Sequence, residues 1–320
     1  MAFSAKTRKF LLAFLIIGWS VTLIIPVLRG NPLKCLLKTK PLYRDNRLLM
    51  GTFWEVVSPD KRAGAIVFTE ASRIDQLLSK YIPTSEISQL NRMGKLKVSA
   101  DTFYILKRSQ EFWQKSSGAF DITVAPLVEL WGFTNQKFQV PSAERIGAVL
   151  PLVGSDKIIL HEKDNMVEFK IPGLSVDLGA IAKGFALDCS VKKLKENNID
   201  SCLINAGGQI YALGDKSGQS WKIAIRRGPQ SEIGAPLELY NASASTSGNY
   251  EQFFLKDGRR YCHIIDPRTG YPVDTGITSV TVVAKQGLTA DALSTSIFVL
   301  GEKNSSGLLK EFPEAKIEIY

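Results

Sequence analysis

From Phe10 to Leu28 the chain runs 19 residues without a charged side chain, directly after Lys6, Arg8 and Lys9. As a helix rising about 1.5 Å per residue, this stretch matches the ~30 Å hydrocarbon core of a bilayer. It is therefore expected to direct the chain to a membrane and to take no part in a globular core. A cleaved signal peptide has a shorter apolar region and a small-x-small cleavage site. Neither is evident here, and Pro32-Leu33-Lys34 before Cys35 makes a poor lipoprotein context. The sequence thus divides into a basic N-terminus (1–9), a transmembrane anchor or signal segment (10–28) for which the uncleaved anchor is favoured, a basic linker (29–46) and one folded domain (47–320), with the bulk of the chain outside the cytoplasm.

The remaining ~275 residues suffice for a sizeable core. Short apolar strand candidates such as 157–160, 166–170, 202–206, 221–225 and 279–283 alternate irregularly with helical spacing over 63–81, 99–116 and 180–196. Such a mixture predicts an α+β domain and not a regular ladder of parallel strands. Leu48 to Val57 reads as the first strand, ended by Ser58-Pro59-Asp60.

The net charge is +9, which could suggest nucleic acid, but the basic residues are scattered with no Lys/Arg block of five or more, and an acidic or phosphorylated small substrate fits equally well. Two histidines, His161 and His263, remove HExxH proteases and most His-based zinc sites. GxSxG, Walker A and GxGxxG runs are absent. Cys35, Cys189, Cys202 and Cys262 form no CxxC pair and are read as unpaired, a Cys189–Cys202 bridge staying open in an oxidising compartment.

Four segments carry chemistry. Thr289 to Thr295 opens an apolar stretch that stops at Gly301, predicting a helix with Thr289 as N-cap. Asp291 and Thr295, four residues apart, then share a face and offer a carboxylate and a hydroxyl, enough for a Mg²⁺ held mainly by substrate phosphate and water. The alternative is an aspartate that only complements the helix dipole and a threonine that bonds back into its own helix. Asp177-Leu-Gly-Ala180-Ile-Ala-Lys183-Gly184 joins a strand to a helix, presenting backbone N–H groups and a lysine to an anion, or else small residues for close helix packing. His263-Ile-Ile-Asp266-Pro-Arg268-Thr-Gly270 offers an imidazole as general base beside an Asp–Arg pair, although taken alone the segment reads first as a plain β-turn. Gly118-Ala119-Phe120-Asp121 supplies a ring and a carboxylate suited to a planar ligand. Tyr81 and Trp131 serve similarly or belong to the core.

In order, these segments resemble the ApbE family, the FAD:protein FMN transferases. The resemblance covers most of the chain after about residue 47. It rests on Met50-Gly-Thr, Ser85-Glu-Ile-Ser with Asn91, Gly118-Ala-Phe-Asp-Ile-Thr with Trp131-Gly-Phe, the 177–184 and 263–270 segments, Asn205-Ala-Gly-Gly, Thr246-Ser-Gly, and Asp291-Ala-Leu-Ser-Thr. It implies a single T-fold-like α+β catalytic domain behind the anchor. It further implies FAD held along Met50, Tyr81, Ala119, Phe120, Asp121, Asp177, Lys183 and the His263 to Ile265 segment, with Mg²⁺ on Asp291, Thr295 and the Ala180 carbonyl. In the family FAD is split at its pyrophosphate, AMP leaves, and FMN is joined to a threonine of a target protein. Such targets are typically subunits of membrane redox complexes, flavinylated on the extracytoplasmic side. His263 and Lys183 are the catalytic candidates.

Two positions depart from the family pattern: Gln209 and Asn249 stand where acidic residues are usual, each losing a negative charge. Ala180 replaces a glycine. Alternatives to transfer are hydrolysis of FAD to FMN and AMP, and a non-catalytic, membrane-anchored FAD-binding protein.

Overall fold

A computed structural model describes residues 41–225 and 236–320. The Phe10–Leu28 run and most of the 29–46 linker lie outside the described residues. Among the described residues no helix is long and apolar enough to cross a membrane.

The chain begins with β1 (Tyr43–Leu49), β2 (Thr52–Ser58), α1 (Ala63–Leu78), α2 (Glu86–Met93), β3 (Lys95–Lys97) and α3 (Ala100–Lys115). There follow α4 (Ala125–Leu130), α5 (Ala143–Val149), β4 (Ile158–His161), β5 (Met166–Phe169), α6 (Ala182–Glu196), β6 (Cys202–Ala206), β7 (Gln209–Leu213) and β8 (Trp221–Ile223). The chain ends with β9 (Leu237–Leu239), β10 (Ala242–Gly248), β11 (Phe253–Lys256), β12 (Arg259–Cys262), β13 (Ser279–Ala284), α7 (Gly287–Leu300), α8 (Ser306–Lys310) and β14 (Lys316–Ile319).

Seven strands form an antiparallel sheet in the order β1-β2-β6-β7-β10-β13-β14. Alternation along β2 sets its two faces. Trp54 and Val56 join the main core with α1, α6 and α7, while Val57 joins Trp221, Ile223 and Leu239 of the β8–β9 hairpin. Helix α7 is the hub, with twelve of its fourteen residues buried. A third cluster gathers Leu127, Trp131, Phe133 and Ile146 from α4 and α5 with Ile265.

Three expectations are corrected. The stretch read as one strand from Leu48 is a hairpin that turns at Met50 (φ 49°) and Gly51 (φ 70°), the left-handed pair a two-residue type I′ loop requires. Its first strand begins at Tyr43, inside the segment assigned to the linker: Arg44, Asp45 and Arg47 suit a sheet edge, where charge discourages further pairing. Helix α7 starts at Gly287, two residues before Thr289, and its N-cap Gln286 makes no side-chain cap bond. Ser85 and Ser99 do cap α2 and α3, accepting from Ser88 N and Thr102 N.

Candidate active site

A cleft of about 1290 Å³ opens where the β1–β2 turn, the β6–β7 turn, the start of α6, the inner face of α7 and the His263 segment meet. That exceeds the ~300–1,000 Å³ of pockets for drug-sized ligands, leaving room for a dinucleotide. Met50, Tyr81, Ala119, Phe120, Asp121, Asp177, Ala180, Lys183, His263, Ile265, Asp291 and Thr295 all line it.

Local rules place the walls. Gly207 (φ 64°) and Gly208 (φ 96°) make the tight turn between β6 and β7, and Asn205 Oδ1 accepts from Gly208 N at 2.8 Å. A side chain at Gly207 would strike Thr52 Oγ1 at 2.0 Å, so the two turns abut only because this residue has none. Asn91 clamps the strand-like approach to α6, accepting from Val176 N (2.8 Å) and donating to Val176 O (3.0 Å). Asp177 follows, its Oδ1 accepting from Gly179 N (2.9 Å) and its Oδ2 meeting Lys80 Nζ (2.7 Å). Burial lowers the Lys80 ammonium's pKa, but the Asp177 carboxylate outweighs it and the net shift is upward.

The oxygen half-site forms as the helical spacing requires. Asp291, 5% exposed, accepts from Gly184 N with Oδ2 at 3.0 Å and from Ser245 Oγ with Oδ1 at 3.3 Å. Hydroxyls tie it to Thr295: Ser294 Oγ reaches Ser247 Oγ at 2.9 Å, and Ser247 Oγ reaches Thr295 Oγ1 at 3.1 Å. Burial pushes the Asp291 pKa up, only partly offset by Lys183 and the donated hydrogen bonds. A carboxylate so desolvated gains from a cation, and a hydroxyl, a carboxylate and the Ala180 turn lining one cleft make a hard-oxygen set that suits Mg²⁺. Among the described residues no group of three His, Cys, Asp or Glu side chains could hold a metal, so the donor set is sparse. The dipole reading of Asp291 also holds in altered form, since the carboxylate serves the start of α6 and not of its own helix. The small residues of the 177–184 loop likewise permit close packing, Gly184 lying against Gly287.

His263 hangs from Gln252, whose carbonyl oxygen meets both His263 N (3.0 Å) and Nδ1 (3.1 Å). A carbonyl only accepts, so Nδ1 carries the proton and Nε2 keeps its lone pair. Burial, and secondarily Lys183, lowers the imidazole's pKa and keeps it neutral at pH 7. Beside it the 266–270 segment is the expected turn, with Gly270 N donating to Asp266 O (2.8 Å) and Arg268 paired to Asp266.

The aromatic expectations divide. Tyr81 is 67% exposed at the cleft rim. Trp131 is core, its Nε1 donating to Gly270 O at 2.9 Å. Phe120 packs against Phe112 and is 2% exposed, so its ring is committed to the core and does not form a stacking platform. Asp121 is saturated: Thr123 N, Thr123 Oγ1, Ser155 N and Ser155 Oγ all donate to it. That carboxylate fixes the wall and has little capacity left for a ligand. Gln209 Nε2 donates to Gly287 O at 3.1 Å, a bond an ionised glutamate could not make. Cys189, Cys202 and Cys262 are free thiols, so no Cys189–Cys202 bridge forms.

Sequence reasoning missed Lys80, Asp188, Ser245, Ser247 and Ser294. The alternation of serines at 243, 245 and 247 was a usable signal, since period two puts them on one face of β10.

The ApbE family model matches residues 50–319. An FAD:protein FMN transferase of Haemophilus influenzae is 35% identical over 241 residues, covering 72% of this chain and 70% of that protein. One from Treponema pallidum is 34% identical over 297 residues, 85% of this chain and 82% of its own. The crystal structure of the ApbE protein from Thermotoga maritima superposes with a TM-score of 0.81 at 31% identity, covering 87% of this chain and 94% of that one. The flavin transferase ApbE from Vibrio cholerae gives 0.77 at 29%, with 87% and 94% covered. Shared along nearly the whole described domain, in sequence and in architecture alike, this likeness makes the chain a member of the ApbE family.

Proposed function

We propose that this chain is an FAD:protein FMN transferase that uses Mg²⁺, splits FAD at its pyrophosphate and esterifies an acceptor threonine. In the balanced step the threonine oxygen bonds to the FMN phosphorus, the bond from that phosphorus to the bridging oxygen breaks, AMP departs, and the hydroxyl proton goes to a base. The observation that carries the reading is the joining of Asp291 and Thr295 through Ser245, Ser247 and Ser294, in the cleft that also holds Lys183 and a neutral His263.

Asp291, Thr295 and the Ala180 carbonyl would hold Mg²⁺, which supplies charge neutralisation at the diphosphate. Lys183 would add a second positive charge beside the same oxygens. His263 Nε2 takes the threonine proton, its ring aimed by the Gln252 carbonyl. Tyr81 and Met50 border the rim where the rest of the dinucleotide lies. The Phe10–Leu28 run supports an anchored enzyme with its domain on the extracytoplasmic side, facing a threonine of a membrane redox-complex subunit.

Incubation with FAD, Mg²⁺ and a candidate acceptor tests this by in-gel flavin fluorescence. Covalent label on the acceptor is the expected outcome. FMN and AMP without label would make the protein a hydrolase, and intact bound FAD would make it a carrier. Asp291→Ala or Thr295→Ala should cut labelling by about 100-fold or more with the fold retained. Normal labelling in both variants would remove the cation assignment.

A further inference from the structure

The two helices that carry the site cap one another. Asp291, on α7, accepts from Gly184 N in the first turn of α6. In return Asp188, on α6, accepts from Gly287 N with Oδ1 (2.6 Å) and from Leu288 N with Oδ2 (2.9 Å), supplying the cap that Gln286 does not. Gly184 and Gly287 allow this crossing: a β-carbon on the first would lie 2.2 Å from Gly287 O, and one on the second 2.6 Å from Gly184 O. Gln209 holds the same Gly287 carbonyl from β7. The first turn of α7 is thereby fixed through both its N–H and its C=O groups.

Asp188 does not line the cleft. It acts one turn away from Asp291 through a helix whose backbone moves as a unit. We propose that Asp188 is a positioning residue for the Mg²⁺ half-site, holding the start of α7 so that Asp291 and Thr295 stay opposite the Ala180 turn. The proposal rests on the cation reading above. Asparagine at this position keeps one acceptor and loses the charge and the second N–H bond, and alanine loses both, so the effect should be graded.

The test uses the full chain and two probes: Mg²⁺ in initial-rate assays of FAD turnover, and Mn²⁺ in calorimetric titration without FAD. Asp188→Asn should raise the half-saturating Mg²⁺ and the Mn²⁺ dissociation constant by about tenfold or more, the size typical when a group supporting metal ligands is removed. Asp188→Ala should raise both further, while the rate at saturating Mg²⁺ stays within about threefold of wild type. Val191→Ala, a cavity in the core-facing side of the same helix, is the control for general loosening and should leave both metal constants in place. Unchanged constants in the Asp188 variants, or equal shifts in Val191→Ala, would overturn the positioning role while leaving the cation assignment standing. A wild type that turns over FAD with no response to either cation would overturn both.

Discussion

Asp291 serves two helices at once, since it sits on α7 and accepts from Gly184 N at the start of α6 while also taking the Ser245 hydroxyl. Its four-residue spacing to Thr295 was legible because an α-helix fixes that relation locally. Its partners were not: Ser245 lies 46 residues away and Gly184 lies 107 away, and both meet it only after the sheet and helices have packed. The same holds for Phe120, whose commitment to Phe112 is set by tertiary packing that the Gly-Ala-Phe-Asp run does not encode. At this scale His263 gives a pH prediction. Its pKa sits below the ordinary 6.5 because of burial and then Lys183, so the acid limb of the transfer rate should lie at lower pH than a free imidazole would give. Lys183→Met should move that acid limb toward higher pH, seen in rate profiles at saturating FAD, and a limb that does not move would remove the lysine's influence on the ring. His263→Ala should bind FAD, as read by fluorescence, and transfer about 100-fold more slowly.

Among elements, the α6–α7 crossing presses two glycine backbones together, whereas a helical glycine elsewhere has open space around it. Gly184→Ala forces a methyl group into the Gly287 carbonyl and should cost about 2–4 kcal/mol in urea unfolding, with loss of cation response. Gly147→Ala, in α5 with nothing within 4 Å, should instead stabilise by about 0.5–1 kcal/mol. Equal effects at the two positions would contradict the packing described. Element identity was mostly readable, since helical spacing over 63–81, 99–116 and 180–196 announces α1, α3 and α6 directly. The β1–β2 turn was not, because methionine in a left-handed turn position lacks the Asn-Gly signal that normally marks such hairpins. The α7 start was misplaced for another reason: its cap comes from a different helix, so no local residue advertises it.

For the whole molecule, an α+β class was visible in the irregular alternation of periods, whereas the order of seven strands was not, since β2 pairs with β6 only after the six helices α1 to α6 have intervened in the chain. The edge strand β1 was hidden by its charges, which composition alone assigns to a linker. Global stability should carry the imprint of the cross-capped carboxylates. Packing around Asp188 pushes its pKa from 3.8 up to about 6, so between those values the folded state binds more protons than the unfolded one. Stability of the metal-free chain should therefore fall as pH rises through that window, by up to about 3 kcal/mol relative to Asp188→Asn. Chemical denaturation of both proteins at pH 4 and pH 7 measures it, and parallel curves would refute the linkage.

Helix α7 is enclosed by α6, β10 and β13, with almost every residue out of contact with solvent. Its amides should accordingly exchange with deuterium only when the entire domain opens. In the cation reading proposed above, an ion would therefore reach Asp291 through the mouth of the cleft and not by local breathing of that segment.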